Sequence, residues 1–275
     1  MTLGATTTPW PMPPLIRASL GLHAVAAGVA LAAPAVWPWV LGAVALDHAV
    51  VVGAGLWPRS RWLGPNVRQL GAASAARREI ALTIDDGPDP EVTPAVLDLL
   101  DANRMRATFF CVARHAREHR SLVREIVARG HSVQNHTDVH RHDFSLLGPR
   151  AVEADVRAAQ ETLAELTGTR PRWFRAPAGL RNPFLQPVLH RHGLGLVSWT
   201  RRGFDTRDTD APRVTRRLTR GLSAGDILLL HDGSTARGAH RRPVVLDVLP
   251  PLLEAIAAAG LRGVTLPQAM EAGDR

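Results

Sequence analysis

The sequence predicts an α/β fold built on parallel strands, preceded by a pair of apolar helices. From about residue 78, short apolar runs alternate with longer stretches of helical periodicity. Such alternation is typical of parallel strands with helices packed outside them, in an open sheet or a barrel. Residues 15–57 differ, because they hold two long apolar runs. At 275 residues the chain is long enough to form one large domain.

The N-terminal apolar runs predict a helical hairpin that associates with a membrane. They cover roughly 18–33 and 40–57 and flank a Pro/Trp segment at 34–39. Each run is near the lower end of the about 17–25 residues that span a bilayer, and indole rings favour the headgroup level. Asp47 and His48 lie near the middle of the second run. They indicate either a polar pair that joins the helices or a hairpin that lies in the interface.

Arginines follow the second run closely. By the positive-inside bias, Arg59, Arg61 and Arg68 predict that the downstream end lies in the cytoplasm. Residues 58–77 are rich in Arg, Gly, Pro, Ala and Ser and are expected to form a tether. The predicted parts are a membrane-associated hairpin at 1–57, a linker at 58–77 and a folded domain at 78–270.

The folded domain is predicted to alternate strands with helices. Strands are expected at 79–84, 107–112, 131–135, 172–175, 194–199, 226–231 and 262–266. Helices are expected at 92–103, 114–129, 149–167, 182–192, 211–223 and 243–259. Active sites of such folds collect at the carboxyl ends of the strands, so the polar residues that follow the strands are the functional candidates.

Composition narrows the classes of partner. The net charge is +8 and every basic residue is Arg, in short clusters and with few aromatic residues between them. This pattern argues against a nucleic-acid partner, and with the apolar hairpin it favours a membrane surface. The single cysteine, Cys111, excludes an internal disulfide and a Cys-rich zinc module.

Two adjacent carboxylates end the first predicted strand. Asp85 and Asp86 stand between the apolar run and a Gly-Pro turn signal. Adjacent strand residues point in opposite directions, so the two side chains can take different roles. One can hold a metal ion while the other moves a proton.

Two histidines follow the strand predicted at 131–135. If His136 and His140 open a helix, their spacing places both imidazoles on one helix face. Two histidines and one carboxylate leave an open coordination position, which is the arrangement of a catalytic zinc site. His115 and His119 share this spacing but lie in an Arg-rich helix, so they are expected to face solvent.

Two further clusters follow strands. Arg175 begins an Arg-x-Pro-x-Gly segment directly after one predicted strand, and His231 ends another. The first pattern alone is typical of an ordinary loop. A histidine at the carboxyl end of a buried strand is often a core residue, but it is also well placed for proton transfer.

Together these clusters resemble the polysaccharide deacetylase family, the NodB-homology or carbohydrate esterase 4 group. The family motifs are, in order, Thr-Phe-Asp-Asp-Gly-Pro, His-Ser/Thr-x-x-His, Arg-x-Pro-x-Gly, Asp-x-x-Asp-Trp and Leu-x-Leu-x-His. Four of the five occur here in that order, over roughly 78–268. The resemblance implies a distorted (β/α) barrel that removes an acyl group from an N-acylated amino sugar. It does not reach the first 77 residues.

The resemblance also implies roles for the first three clusters. By similarity, Asp85 is the general base and Arg175 holds and orients it. Asp86, His136 and His140 are the implied ligands of a divalent metal ion, usually zinc, with cobalt or manganese as alternatives. The ion would polarise the acyl oxygen and lower the pKa of a water molecule.

The remaining implied roles concern the acyl group and the leaving amine. The main-chain N–H of Ala178 would complete the oxyanion site, where the family usually has Tyr. His231 would protonate the leaving amine, and Leu229 would line the pocket for the acyl methyl group.

The fourth motif is altered in this chain. Asp205 matches its second Asp and is expected to orient the histidine of the fifth motif, whereas Arg202 replaces the first Asp and Thr206 replaces the Trp. The acyl pocket wall is therefore expected to differ, with Trp199 as a candidate substrate contact. Arg201 and Arg202 either meet a phosphate or carboxylate of the substrate or are exposed loop charges.

The sequence leaves two functional hypotheses. The first is an enzyme acting on an acylated amino-sugar chain, or on a lipid-linked saccharide, which suits a cytoplasmic domain on a membrane hairpin better than mature cell wall does. The alternative is a catalytically inactive membrane-anchored module that binds carbohydrate or metal. The intact set of base, metal ligands and acid argues against the alternative.

Overall fold

The computed structural model describes residues 9–238 and 241–271, which form eight strands and eleven α-helices. The strands are β1 Glu79–Asp85, β2 Ala107–Cys111, β3 Ser132–Asn135, β4 Trp173–Phe174, β5 Gly195–Leu196, β6 Arg201–Arg202, β7 Ile227–His231 and β8 Arg262–Gly263. The helices are α1 Pro14–Ala32, α2 Trp37–Leu56, α3 Ala72–Ala76, α4 Thr93–Ala102, α5 Ala113–Glu118, α6 Arg120–Ala128, α7 Pro149–Thr167, α8 Leu185–Arg191, α9 Ala211–Thr219, α10 Val244–Ala258 and α11 Leu266–Glu271.

The strands form one parallel sheet that curls into a half-barrel, which confirms the predicted fold class. Their order is β5-β4-β3-β2-β1-β7-β6, and β8 pairs with the start of β1. Each of the seven predicted strands is present, although β4, β5 and β8 have only two residues each. Helices α4 to α10 lie in the connections between successive strands, as the crossovers of a parallel sheet require.

The register of the sheet brings the polar clusters to one edge. β1 lies between β2 and β7 and is buried along its whole length. Its last residue, Asp85, lies opposite His231 at the end of β7. At the end of β3, Asn135 lies opposite Cys111 on one side and Phe174 on the other. Because these strands end at the same level, the residues that follow them meet around one opening.

The longer helices of the folded domain bury apolar residues in the same cores as the strands. In α10, Leu246, Leu249, Leu253 and Ile256 recur at helical spacing, and all four belong to the main core. The strand residues facing them, such as Leu82, are fully buried in the same cluster. This packing holds the sheet edge that carries the site.

Two local elements differ from the sequence prediction. The helix expected at 114–129 is broken at His119, whose φ of −122° and ψ of 52° are not helical, so that α5 and α6 are separate helices. The strand β6 was not predicted, because its two residues are both arginines and form no apolar run. It pairs with β7, where Arg202 lies opposite Leu229.

The apolar N-terminal runs form a helical hairpin. A 3₁₀ turn, Pro34–Val36, joins α1 to α2, and the helices have 19 and 20 residues. Both are long and apolar enough to cross a membrane, by length and composition alone. The Ser19 hydroxyl donates to Asp47 at 2.7 Å, and the rings of His23 and His48 pack edge to face. Asp47 and His48 therefore join the two helices, as one of the two sequence interpretations expected.

The segment 58–77 packs against the folded domain and is not a free tether. Leu63 and Leu70 are buried, and the main chain of Val67 pairs with β5, where its N–H donates to Leu196 at 2.9 Å. The hydroxyl of Thr200 donates to the carbonyl of Arg68 at 2.8 Å, on the approach to β6. The composition suggested a tether because the few apolar residues that anchor the segment are widely spaced.

Candidate active site

The loops that follow β1, β3, β4, β6 and β7 enclose a cavity of about 400 Å³. The cavity is lined by most of the residues that the sequence singled out, and these lining residues are Asp85, Asp86, His136, His140, Ala178, Trp199, Arg202, Thr206, Leu229 and His231. Arg175 and Asp205 lie directly behind the lining, both fully buried. The structure therefore brings all the candidate residues to one place.

The loops after β1 and β7 pack closely through two glycines. A side chain on Gly87 would overlap with the carboxylate of Asp232, and one on Gly233 would overlap with the main chain of Asp86. Asp86 has a left-handed φ of 76°. Glycine is required at both positions because the close packing of the two loops leaves no room for a β-carbon.

Asp86, His136 and His140 converge as the sequence predicted, but not on a helix. Residues 136–140 form a loop, in which Thr137 and His140 have positive φ angles of 71° and 51°. The Thr137 hydroxyl accepts the N–H of His140 at 3.0 Å, and Asn135 accepts that of Thr137 at 2.9 Å. The loop replaces the helix because these side chains satisfy the main-chain groups that a helix would pair.

The donor set fits a divalent metal ion. His136 Nδ1 lies 2.7 Å from the carbonyl oxygen of Arg175 and donates to it, so Nε2 presents a lone pair. That Nε2 lies 3.0 Å from Asp86 Oδ1, and His140 Nε2 lies 3.1 Å from the same oxygen. Two imidazole nitrogens and a carboxylate oxygen at these distances need a cation or protons among them. Burial acts to raise the pKa of Asp86, but the two histidines hold it well below its usual range.

Asp85 is fixed by a buried arginine. The Nη1 of Arg175 donates to Asp85 Oδ1 and to the Thr83 hydroxyl, each at 2.7 Å, and Nη2 donates to the Ser198 carbonyl at 2.9 Å. The ring of Phe110 lies under the guanidinium, 4.2 Å away. Burial lowers the pKa of Arg175 and Asp85 opposes this shift. The arginine thus places a positive charge and a hydrogen-bond donor directly against the buried carboxylate of Asp85.

His231 is fixed by Asp205, as the sequence expected. The two oxygens of Asp205 accept from His231, one from the main-chain N–H at 2.8 Å and one from Nδ1 at 3.0 Å. This contact places the other ring nitrogen, Nε2, on the side away from Asp205. Burial acts to lower the pKa of His231, but the charge and hydrogen bond of Asp205 raise it to about 9. The imidazole is therefore a proton donor at neutral pH.

The wall of the cavity beside these groups is apolar. Trp199 and Leu229 line it, and Trp199 is 7% exposed. A side chain at Gly179 would overlap with the Trp199 ring, so the ring lies directly against the loop after β4. Ala178 in this loop has a left-handed φ of 53° within the 3₁₀ turn Pro177–Gly179.

Sequence reasoning missed three polar residues of the site. The Ser234 hydroxyl donates to the second oxygen of Asp86, and His115, which was expected to face solvent, lines the cavity and contacts the Asp86 carbonyl through Nδ1 at 2.9 Å. Asp232 is fully buried and accepts from the Thr93 hydroxyl at 2.5 Å. Burial raises the pKa of Asp232 to about 7. The signal for Ser234 and Asp232 was their position beside His231, directly after a strand.

Comparison with known proteins identifies the relatives of this fold and site. A family model described as polysaccharide deacetylase matches residues 72–197. A chitooligosaccharide deacetylase of Bradyrhizobium sp. (strain ANU 289) is 35% identical over 211 residues, which cover 73% of this chain and 94% of that protein. The crystal structure of the Bc1960 peptidoglycan N-acetylglucosamine deacetylase has a TM-score of 0.68 and 27% identity, and the match covers 75% of this chain and 92% of that one.

The fold also occurs without activity. BA3943, described as a carbohydrate esterase family 4 pseudoenzyme from Bacillus anthracis, has a TM-score of 0.65 and 19% identity, with 74% of this chain and 68% of that chain covered. That likeness concerns the fold alone, so the activity has to be argued from the site. The sequence identity to the Bradyrhizobium protein, over nearly its whole length, places this chain in the polysaccharide deacetylase family.

Proposed function

We propose that the protein is a metal-dependent hydrolase that removes an acyl group, acetyl in the first instance, from the nitrogen of an amino sugar. The observation that supports this proposal is that Asp85 and His231 lie opposite each other at the carboxyl ends of the neighbouring strands β1 and β7. Each is held by an oppositely charged partner, Arg175 or Asp205. Amide hydrolysis needs such a base and acid, because attack of water releases a proton and departure of the amine takes one up.

The metal site belongs to this proposal. Asp86, His136 and His140 would hold a divalent ion, for which zinc suits the ligand set and cobalt or manganese are substitutes. Bound there, the ion would supply Lewis acidity to the acyl oxygen and would make a nearby water molecule more acidic. Ser234 orients the carboxylate of Asp86 by donating to the oxygen that the histidines do not contact.

Asp85 is the proposed base. Its Oδ1 accepts from Arg175, while its Oδ2 lies 3.9 Å from His136 Nε2, on the side of the metal ligands. As the water oxygen bonds to the acyl carbon, the water proton passes to Asp85. The main-chain N–H of Ala178 is the proposed donor to the oxygen that becomes negative, because the left-handed turn places this residue in the cavity wall.

His231 is the proposed acid. The carbon–nitrogen bond breaks as His231 donates a proton to the nitrogen, which leaves as a free amine together with the carboxylic acid. Asp205 stabilises the protonated imidazole before this step and keeps the ring in the donating orientation. The proton gained by Asp85 and the proton lost by His231 balance, so solvent exchange restores both groups.

Trp199 and Leu229 are the proposed walls for the acyl methyl group. The altered fourth motif removes the usual Trp at Thr206, but the ring of Trp199 lines the same cavity and lies against Gly179. Leu229, two residues before His231, lines the cavity as well. A small acyl group bounded by an indole and a leucine fits this apolar surface.

The direct test measures release of free amine from N-acetylated chitooligosaccharides by the purified full chain with added zinc. Asp85→Asn is expected to lower kcat by about 100-fold or more, because the base is lost while the shape of the side chain is kept. His136→Ala is expected to abolish zinc retention and activity together. Wild-type protein that binds zinc yet releases no amine, with cobalt and manganese also tried, would support the binding module instead.

We also propose that the hairpin anchors the enzyme in a membrane, with the folded domain in the cytoplasm. The outward side chains of the hairpin are apolar, and Leu31 and Trp39 are more than 80% exposed, at 84% and 82%. Helices of 19 and 20 residues at about 1.5 Å per residue match a hydrocarbon core of about 30 Å. The exposed Arg59 and Arg61 follow α2 and support the cytoplasmic orientation.

The end of the hairpin is docked beside the cavity, which supports a lipid-linked saccharide as substrate. The N–H of Arg181 donates to the carbonyl of Gly55 at 3.1 Å, and its guanidinium donates to that of Ser60 at 2.6 Å. A side chain at Gly179, in the cavity wall, would overlap with Pro58. Large exposed apolar side chains surround this junction, namely Trp57, Trp62, Leu146 and Phe184. An active-site face held this close to the bilayer suits a saccharide that is itself attached to a lipid.

A further inference from the structure

We infer that the substrate of this site carries an anionic group, a phosphate or a carboxylate, near the acylated nitrogen, and that Arg202 binds this group. The inference rests on the proposed function, because it names a class of substrate for the same cavity. It starts from the two adjacent arginines of β6, which the sequence could not tell apart.

The strand β6 sends its two arginines to opposite faces. Arg201 is engaged in the structure: its Nε donates to Asp226 at 2.5 Å, and its other nitrogens donate to the carbonyls of Arg220 and Gly221. Arg202, one residue later, points the other way and lines the cavity. Its register partner on β7 is Leu229, in the proposed acyl pocket. A group bound by Arg202 would therefore lie beside the reacting amide.

Arg202 has no hydrogen-bond or ion-pair partner among the described residues. Its side chain is half-buried, and its Nε is shielded from solvent without a hydrogen bond. Two arginines nearby in the sequence differ, since Arg213 and Arg217 both pair with Asp208. A guanidinium that is partly shielded from water and has no hydrogen-bond partner costs free energy unless a ligand supplies that partner.

The carboxylates whose charge acts on Arg202, namely Asp85, Asp205 and Asp86, make no hydrogen bond or ion pair with it. Asp205 gives both oxygens to His231, and Asp85 gives Oδ1 to Arg175. Their negative charge acts on Arg202, but burial still lowers its pKa. The cavity thus contains a positive group whose counter-ion the chain does not supply, in the place where the family has a carboxylate.

Two aromatic rings hold the guanidinium in a fixed position. Its central carbon lies 5.2 Å from the ring of Trp199 and 5.1 Å from that of Phe204. Stacking of this kind leaves the edge of the planar group, with its paired N–H donors, free for a flat or tetrahedral oxyanion. A neutral sugar hydroxyl would not balance the charge, so the geometry favours a charged substituent.

The test compares binding and turnover of matched monosaccharides. The probes are N-acetylglucosamine 1-phosphate, N-acetylglucosamine 6-phosphate, N-acetylmuramic acid as the carboxylate, and neutral methyl N-acetylglucosaminide. Binding is measured by calorimetry with the zinc-loaded full chain carrying Asp85→Asn, and turnover with unmodified Asp85. At least one anionic probe is expected to bind about ten- to a hundredfold more tightly than the neutral one, and which anion does so identifies the source of the charge.

Three variants at two positions test which arginine causes the preference for the anionic probe. Arg202→Gln is expected to remove the preference for the anion, chiefly through KM. Arg202→Lys is expected to retain part of the preference, because lysine keeps the positive charge but lacks the paired N–H donors of the guanidinium. Arg207→Gln is the matched control, since Arg207 also lines the cavity but is exposed. Loss of the Arg207 charge is expected to change the ratio of anionic to neutral affinity only a few-fold, because a solvated charge contributes little binding free energy.

The results that overturn the inference are distinct from those that overturn the proposed function. Equal binding of all probes would refute it, and so would a preference that Arg207→Gln removes as fully as Arg202→Gln does. If the anionic probe binds through Arg202 but the wild-type chain releases no amine from any probe, the inference stands and the hydrolase proposal fails. If amine is released without regard to charge, the hydrolase proposal stands and the inference fails.

Discussion

Asp205 controls the acid side of the proposed reaction through a single side chain. It raises the pKa of His231 to about 9 against the effect of burial. In Asp205→Asn the amide oxygen can still accept the main-chain N–H of His231, but the negative charge is lost. We expect the alkaline limb of kcat/KM, where His231 loses its proton, to move to lower pH by more than about one unit.

The measurement is a pH profile of amine release for wild type and Asp205→Asn, from acidic to alkaline buffers. The raised pKa keeps His231 protonated up to a higher pH. Removing the charge of Asp205 lowers this pKa, so activity is lost at a lower pH on the alkaline side. The acidic limb is expected to stay in place. An alkaline limb that does not move would mean that His231 is not the acid.

Single residues were predictable from the sequence where their chemistry is carried by a motif at a strand end. Asp85, Asp86 and His231 each follow an apolar run, and the sheet register brings them together without further information. Ser234 and His115 were not predictable in the same way, because their contacts with Asp86 cross between loops. Ser234 had a weak signal in its position soon after a strand, whereas the arginines around His115 indicated a solvent-facing helix.

At the scale of elements, the strands and helices followed from hydrophobic periodicity, whereas the loops did not. A helix beginning at His136 was one way to bring His136 and His140 together, but residues 136–140 form a loop that its own side chains stabilise. The segment 58–77 is held by contacts with β5 and with the approach to β6, which lie far away in sequence. The local composition of a segment does not predict its contacts with parts of the chain that are distant in sequence.

The docking of α2 on the loop after β4 gives a prediction for an element. A side chain at Gly55 would overlap with the carbonyl oxygen of Arg181. Gly55→Val is therefore expected to push the end of α2 away from the loop that carries Ala178, lowering stability by about 1–3 kcal/mol and reducing kcat. Thermal unfolding in detergent and amine release measure the two effects.

The matched control for that change is Gly53→Val, two residues earlier in the same helix. No atom lies within 4 Å of a side chain built at Gly53, and the residue is exposed. Because both variants carry the same loss of glycine and the same added volume, only the contact with Arg181 differs. Equal behaviour of the two variants would show that the α2 junction does not support the site.

At the scale of the whole molecule, the proposed membrane anchoring by the hairpin would determine which saccharides reach the cavity. The junction at Gly55–Arg181 keeps the site beside the end of α2, and the exposed Trp57 and Trp62 continue the apolar surface of the hairpin onto the folded domain. We expect a reporter fused after the last residue to be active in the cytoplasm, because arginines follow α2 and are retained on that side. Paired reporters that function on opposite sides of the membrane make the measurement. Reporter activity only outside the membrane would rule out a cytoplasmic lipid-linked substrate. Reporter activity in the cytoplasm, together with amine release from a lipid-linked N-acetyl sugar, would place the reaction at the inner membrane surface.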